Sequence, residues 1–229
     1  MCIRDSTHTF KNPLASIRSA TQMLSESEDA GDRERFLRMV EQAVARLEHL
    51  LSTVREISMI DSQLEEEGRT EVRLGQLLLE LVEGFRLRGT GMLTYELEHP
   101  DQEVCVSASP ERLVRAFENV LDNARSFSPE RGTVWVRLAR RADLALVTIR
   151  DQGPGIPEQH LDRIFARFFS FRDEAGEGPG MDAPAGNSEH TGLGLAIARA
   201  IIDGYGGTIA ARNSTEGGAI FEIRLDALR

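Results

Sequence analysis

The chain has 229 residues, 41% hydrophobic and 28% charged, with 37 acidic against 27 basic side chains and a net charge of −10. That length holds one large domain or two small ones, with the composition of an ordinary globular protein. The negative excess argues against a nucleic-acid binder, which needs a basic face for phosphates, and against adsorption to an anionic membrane surface.

The two cysteines, Cys2 and Cys105, form neither a metal-ligand spacing nor a disulfide framework. A reduced, cytoplasmic setting follows. Cys105, between valines in E-V-C-V-S, is expected to be buried in a strand. No apolar run approaches the ~18 residues that span a bilayer, so this fragment is expected to make no direct membrane contact. Met1–Ser6 lacks the apolar segment of a secretory signal. It shares no pattern with the residues after it and reads as a remnant, the rest being the C-terminal part of a longer protein.

Two helices come first. Phe10, Leu14, Ile17, Thr21 and Leu24 alternate steps of four and three residues, and Phe36, Val40, Ala43, Leu47, Leu50, Val54 and Ile57 repeat them. Between them Glu28–Asp32 reads as a turn. Such a seam packs helices lengthwise. Two helices close a core poorly alone, so the pattern predicts a dimeric four-helix bundle, against the alternative of a hairpin packed on its own chain. The acidic run Gln63–Thr70 marks a domain boundary.

Beyond it the pattern changes to mixed strands and helices. Val72–Gln76, Met92–Leu97 and Glu103–Ser107 read as strands, and Leu77–Arg86 as a helix. Ser109, Pro110 and Glu111 start a helix running to about Ser126, with a serine cap, proline at the first position and an acid in the first turn. Thr133–Ala139 and Leu144–Arg150 alternate as adjacent strands around a turn at Ala142-Asp143. Leu193–Asp203 is a helix, and Thr208–Arg212 and Ala219–Leu225 are strands hinged at Glu216-Gly217-Gly218. This order predicts an α+β layer with helices on one face. Ser170–Thr191, rich in glycine and proline and without periodicity, is expected to be a lid.

Four motifs carry chemistry. His8, in T-H-T-F-K-N-P-L, lies beside the helical seam, and an exposed neutral imidazole is a competent nucleophile near neutral pH. Asn119 and Asn123, in E-N-V-L-D-N-A-R, share a helix face where two amide oxygens can help hold a Mg²⁺. Asp151, in D-Q-G-P-G-I-P, follows a strand. Its carboxylate can accept from a base amino group, and Gly153 and Gly155 let backbone approach a flat ligand. Gly192 and Gly194, in T-G-L-G-L-A, open a helix whose N–H groups suit phosphate. Singly, each has a plain structural alternative: a solvated histidine, two buried amides, a tight turn, a helix-packing glycine. His49, His99, His160 and His190 have no such company.

In this order the motifs resemble the catalytic core of a two-component sensor histidine kinase. The segment from His8 to Leu14 resembles the H box and Glu118–Ser128 the N box. Asp151–Pro157 resembles the G1 box, Ile164–Phe169 the F box and Thr191–Ala196 the G2 box. N-P-L after the histidine and D-N-A-R-S-F-S-P are similar to the ChvG/ExoS type of envelope-sensing kinase.

The resemblance implies a dimerisation and histidine-phosphotransfer hairpin over 1–66, forming a dimeric four-helix bundle. It implies an ATP-binding α/β sandwich of the gyrase, Hsp90 and MutL kind over 67–229. His8 would accept the γ-phosphoryl of ATP and pass it to an aspartate of a response regulator receiver domain, and Asn12 would position water for phosphatase action. Asn123 would be the main Mg²⁺ ligand with Asn119 beside it, Asp151 would read the adenine amino group, and Phe127 would lie against the base. Gly153, Gly155, Ile156, Gly192, Leu193, Gly194 and Leu195 would shape the pocket and lid ends, and Phe165, Phe168 and Phe169 would anchor the lid. The parent protein would be anchored in the inner membrane.

Two positions depart from the family pattern. Thr9 stands where an acid usually follows the histidine, and Ser126 where a basic residue often stands, with Arg125 adjacent as a substitute toward phosphates. A threonine hydroxyl is a poor base, which motivates an alternative: a kinase-weak, phosphatase-biased or nucleotide-sensing dimeric scaffold.

Overall fold

The computed structural model describes residues 3–27, 29–66, 68–88, 93–100, 103–167, 169 and 192–228; side chains at 3–10, 46, 49, 50 and 53–66 lie outside that description. The expected lid, Ser170–Thr191, and Phe168 fall outside it too. By internal contacts the chain divides into a unit of 1–58 with 167–193 and another of 59–166 with 194–229.

The first unit is built on helices α1 (Ile3–Glu26) and α2 (Ala30–Glu66). The join between them is chemically complete. Asp29 Oδ2 accepts from the Asp32 N–H at 2.9 Å, satisfying a free donor at the α2 start. Arg33 Nη1 donates to the Leu24 and Ser27 carbonyls at 3.3 and 3.2 Å, capping the α1 end. Asp32 is therefore helical rather than part of the turn. Helix also extends through Gln63–Glu66, which the composition marks as boundary, and begins at Ile3, within the stretch that reads as a remnant.

On α1 two of the expected seam positions are half-buried in this single chain and two are exposed, and the Phe10 side chain lies outside the description. Ala20 is fully buried and Pro13 is buried, Ile17 and Leu24 are half-buried, while Leu14 and Thr21 are exposed. Thr21 instead turns its hydroxyl back to the Arg18 carbonyl at 2.9 Å. On α2 Ala43 is buried and Phe36, Val40 and Leu47 are half-buried, as expected, and the side chains of Leu50, Val54 and Ile57 lie outside the description. Leu14, Met23, Leu37, Met39, Val44 and Leu51 remain exposed on this single chain.

The second unit layers helices on a sheet. Strand β1 (Thr70–Arg73) leads directly into α3 (Leu74–Arg88), so the sequence strand over Val72–Gln76 ends early. Next come β2 (Thr94–Glu98), β3 (Cys105–Ala108), α4 (Pro110–Phe127), β4 (Thr133–Arg141), β5 (Leu144–Arg150), a 3₁₀ turn at Glu158–His160, α5 (Gly194–Gly204), β6 (Thr208–Asn213) and β7 (Ala219–Asp226). β1 and β3 form a small antiparallel pair. The main sheet runs β2-β4-β5-β7-β6, with β2–β4 parallel and the rest antiparallel.

Period-two alternation sends Tyr95, Val134, Val136, Leu138, Val147, Ile149, Phe221 and Ile223 to one face. The helices cover it; α4 contributes Leu113, Ala116, Phe117, Val120, Leu121 and Ala124, a single apolar stripe. The same alternation corrects the expectation for Cys105. Val104 and Val106 point inward at 1% exposure, which leaves Cys105 half-buried on the other side.

Candidate nucleotide site

Ser109 occupies the N-cap position of α4 but makes no side-chain cap. Its hydroxyl donates to Glu111 at 2.9 Å, and its backbone N–H donates to the Tyr205 hydroxyl at 3.0 Å. α4 is therefore anchored at its start by tertiary contact, with its apolar stripe buried along its length. Asn119 and Asn123 lie one turn apart on the same border of that stripe, half-buried. Asn119 Nδ2 donates to the Arg115 carbonyl at 2.8 Å. Its Oδ1 faces the start of α5, where a Cβ on Gly194 would stand 2.9 Å from it. Among the described residues the Asn123 amide meets no hydrogen-bond partner.

Two charged neighbours of these asparagines on α4 are engaged in ion pairs. Glu118 lies on a different helix border and pairs with Arg88 at 3.3 Å. Arg125 pairs with Asp122 at 3.1 Å.

β5 ends at Arg150 and delivers Asp151 into the interior, 2% exposed. Asp151 Oδ1 accepts from the N–H groups of Gly153 at 2.8 Å and Ala219 at 3.0 Å. Oδ2 receives no hydrogen bond from the described residues. Burial pushes this carboxyl above the ordinary carboxylate range, while the two N–H donors and the adjacent Arg150 charge pull against that. Arg150 itself stacks over Trp135 at 4.7 Å and pairs with Glu216 at 2.7 Å.

The glycines fit by close approach. A Cβ on Gly153 would stand 2.8 Å from the Phe127 carbonyl oxygen and 3.0 Å from Asp151 Oδ1, so the end of α4 and the 151–156 loop are in contact. Gly155 has φ +80 and Gly192 φ +67, both in the left-handed region that favours glycine. Leu193 is buried, Leu195 half-buried at the α5 start, and Phe169 half-buried. Phe165 is a core residue, edge-on to Phe221 at 6.4 Å and under the Arg199 guanidinium at 5.7 Å.

The structure thus gathers two groups in the second unit. One joins Phe127, Gly153 and Asp151, and the other joins Asn119 to Gly194. His8 and Thr9 lie in the α1 helix with their side chains outside the described set, and Asn12 is exposed one turn after His8. Sequence reasoning missed the β6–β7 turn. Ala219 supplies a donor to Asp151, Gly218 (φ +84) would place a Cβ 2.0 Å from the Asp151 carbonyl oxygen, and Asn213 binds Ile156. The run Asn213-Ser-Thr-Glu-Gly-Gly218 is legible as a hinge, but nothing local says what it grips.

A phospho-acceptor domain followed by a nucleotide pocket is the arrangement that comparison with known proteins finds. The His Kinase A (phospho-acceptor) domain matches residues 2–63, and the histidine kinase-, DNA gyrase B- and HSP90-like ATPase family matches 108–229. The chain belongs to the sensor histidine kinase family. It is 35% identical over 217 residues to the sensor protein ChvG of Rhizobium meliloti (strain 1021), covering 91% of this chain and 36% of that protein. It is 32% identical over 236 residues to ChvG of Agrobacterium fabrum (strain C58 / ATCC 33970), covering 97% of this chain and 38% of that protein. The chain therefore spans little more than a third of these relatives. The histidine kinase ThkA, solved with the response regulator TrrA, superposes with a TM-score of 0.72 at 22% identity over 97% of this chain and 60% of that one, a likeness of fold. Among the described residues no helix of this kinase is long and apolar enough to cross a membrane.

Proposed function

We propose that this chain is the core of an ATP-dependent protein-histidine kinase that autophosphorylates His8 and transfers the phosphoryl group to an aspartate of a response regulator. The observation that carries the reading is Asp151. Its Oδ1 accepts from two backbone donors, while among the described residues Oδ2 is left without one. That is a buried acceptor held in place for an exocyclic amino group such as that of adenine. The boundary between the hairpin that carries His8 and the catalytic domain lies, in this reading, at residues 66–67.

The remaining roles follow from position. Phe127 lies against the base beside Gly153. The N–H groups that open α5 face the phosphates, with Gly192, Leu193, Gly194 and Leu195 at that entrance. The Asn123 amide oxygen, half-buried and without a hydrogen-bond partner among the described residues, suits a hard cation such as Mg²⁺ that also keeps waters and phosphate oxygens. Asn119 Nδ2 is committed to the Arg115 carbonyl, and its Oδ1 faces the α5 start. Bound Mg²⁺ would supply charge neutralisation on the phosphates. In the reaction a P–N bond forms to the His8 imidazole, the bond from the γ-phosphorus to the ADP oxygen breaks, and the imidazole proton passes to a base.

The hydrolytic reading, in which this fold splits ATP with water, is disfavoured. Asn119 is not an acid, and Glu118 is turned away and paired with Arg88. The exposed apolar residues of α1 and α2 support a homodimer, since a second hairpin would cover them. The response regulator rests on the phospho-acceptor domain and on the partner seen with ThkA. We place the core in the cytoplasm, beneath an inner-membrane anchor of the parent protein.

Thr9 favours a second reading, in which kinase action is weak and phosphatase action dominates with Asn12 positioning water. His8→Ala is expected to abolish incorporation from γ-labelled ATP, and label surviving in that variant would rule out the site. Thr9→Glu is expected to raise the labelling rate, by on the order of a hundredfold if the carboxylate acts as a positioned base. An unchanged rate would show that Thr9 is not limiting.

A further inference from the structure

Asn213 is the last residue of β6, and its side chain lies along the backbone of Ile156 as a neighbouring strand would. Oδ1 accepts from the Ile156 N–H at 2.7 Å, and Nδ2 donates to the Ile156 carbonyl at 2.7 Å. The fit also needs Gly155, because a Cβ there would stand 2.9 Å from Asn213 Oδ1. At this reach Asp lacks the donor, Ser and Thr carry a single group and Gln is longer.

The other end of the same loop is held from the same place. Ala219 donates its N–H to Asp151 Oδ1 and accepts from the Asp151 N–H, both at 3.0 Å. Asn213 and Ala219 are cross-strand partners that close the β6–β7 hairpin. The hairpin turn is braced internally by the Ser214 N–H to the Gly218 carbonyl at 2.9 Å. It is braced externally by Glu216 on Arg150 at 2.7 Å. The loop is therefore bracketed at both ends by one rigid turn.

We propose that Asn213 is a positioning residue for the nucleotide pocket, fixing residues 153–156 at the distance from Asp151 that a bound adenine requires. This rests on reading 151–156 as the base-binding loop. A group acting at the base end weakens every adenine nucleotide alike, whereas one acting at the phosphate end separates ATP from ADP.

The test measures ATP and ADP affinity by calorimetry on the whole chain, with amide hydrogen exchange of the apo protein. Asn213→Ala is expected to weaken both nucleotides by about tenfold with their ratio unchanged. The Ile156 amide is expected to lose protection while the Ala219 amide keeps it. Should the alanine variant fail to fold, Asn213→Asp carries the same test. It keeps the acceptor, removes the donor, and is expected to weaken both nucleotides by about threefold or more. Unchanged affinity in either folded variant, or an Ile156 amide still protected in Asn213→Ala, overturns the inference while the functional reading stands. A wild-type chain that binds no adenine nucleotide overturns that reading and this inference with it.

Discussion

Asp151→Asn is expected to lower ATP affinity on the order of a hundredfold, equivalent to about 2.7 kcal/mol, while leaving the fold intact. The amide oxygen of asparagine can still accept from Gly153 and Ala219, so the loop keeps its shape. An NH₂ group then stands where Oδ2 stood, and two donors face each other when adenine binds. Stability should move the other way. Burial raises the Asp151 pKa above its unfolded value, so the folded chain holds this proton more tightly than the unfolded chain. The stabilisation this gives is present below the ordinary carboxylate range and is lost as pH rises through the raised value. At neutral pH the charged group therefore opposes folding, and the asparagine variant should melt no lower than wild type there. Calorimetry with ATP and a thermal melt at neutral pH check both halves. Unchanged affinity, or a clear drop in melting temperature, would contradict them.

Gly218→Ala is expected to be the most damaging change to stability among the pocket glycines. Its φ of +84 strains any other residue, and the added Cβ would stand 2.0 Å from the carbonyl oxygen of Asp151, where backbone cannot swing aside. A loss of about 3 kcal/mol or more follows from strain and overlap together. Gly217 is the control. It has φ +91 but open space around its Cβ, so Gly217→Ala should show the backbone strain alone, about 1–2 kcal/mol. Urea unfolding of the two variants measures the difference. Equal losses would mean that the contact with Asp151 yields more easily than its geometry suggests.

What the sequence makes legible divides along the range of the interactions involved. Period-two alternation locates β4, β5, β6 and β7 within a residue or two, because each strand buries one face against one helical layer. The α4 stripe is equally plain, and with it the shared border of Asn119 and Asn123.

The misses have longer-range causes. On α1 of the single chain Pro13 and Ala20 are buried while Leu14 and Thr21 are exposed. Ser109 has the identity of a cap, but Glu111 and Tyr205 take its hydroxyl and its N–H. The valines beside Cys105 suggest burial for it, and alternation puts those valines inside instead. Asn213 and Gly218 are far in sequence from the Asp151 loop they hold. Their role is a property of the β5–β7 pairing that brings the two turns together.

Phosphorylation of His8 from ATP is tested most directly by the chemistry of the bond formed. Wild-type protein is incubated with γ-labelled ATP while nucleotide binding is measured in parallel, and the retained label is challenged with acid and with base. A phosphohistidine predicts label lost in acid and kept in base. Label stable to acid, or no label on a chain that binds the nucleotide, would contradict it.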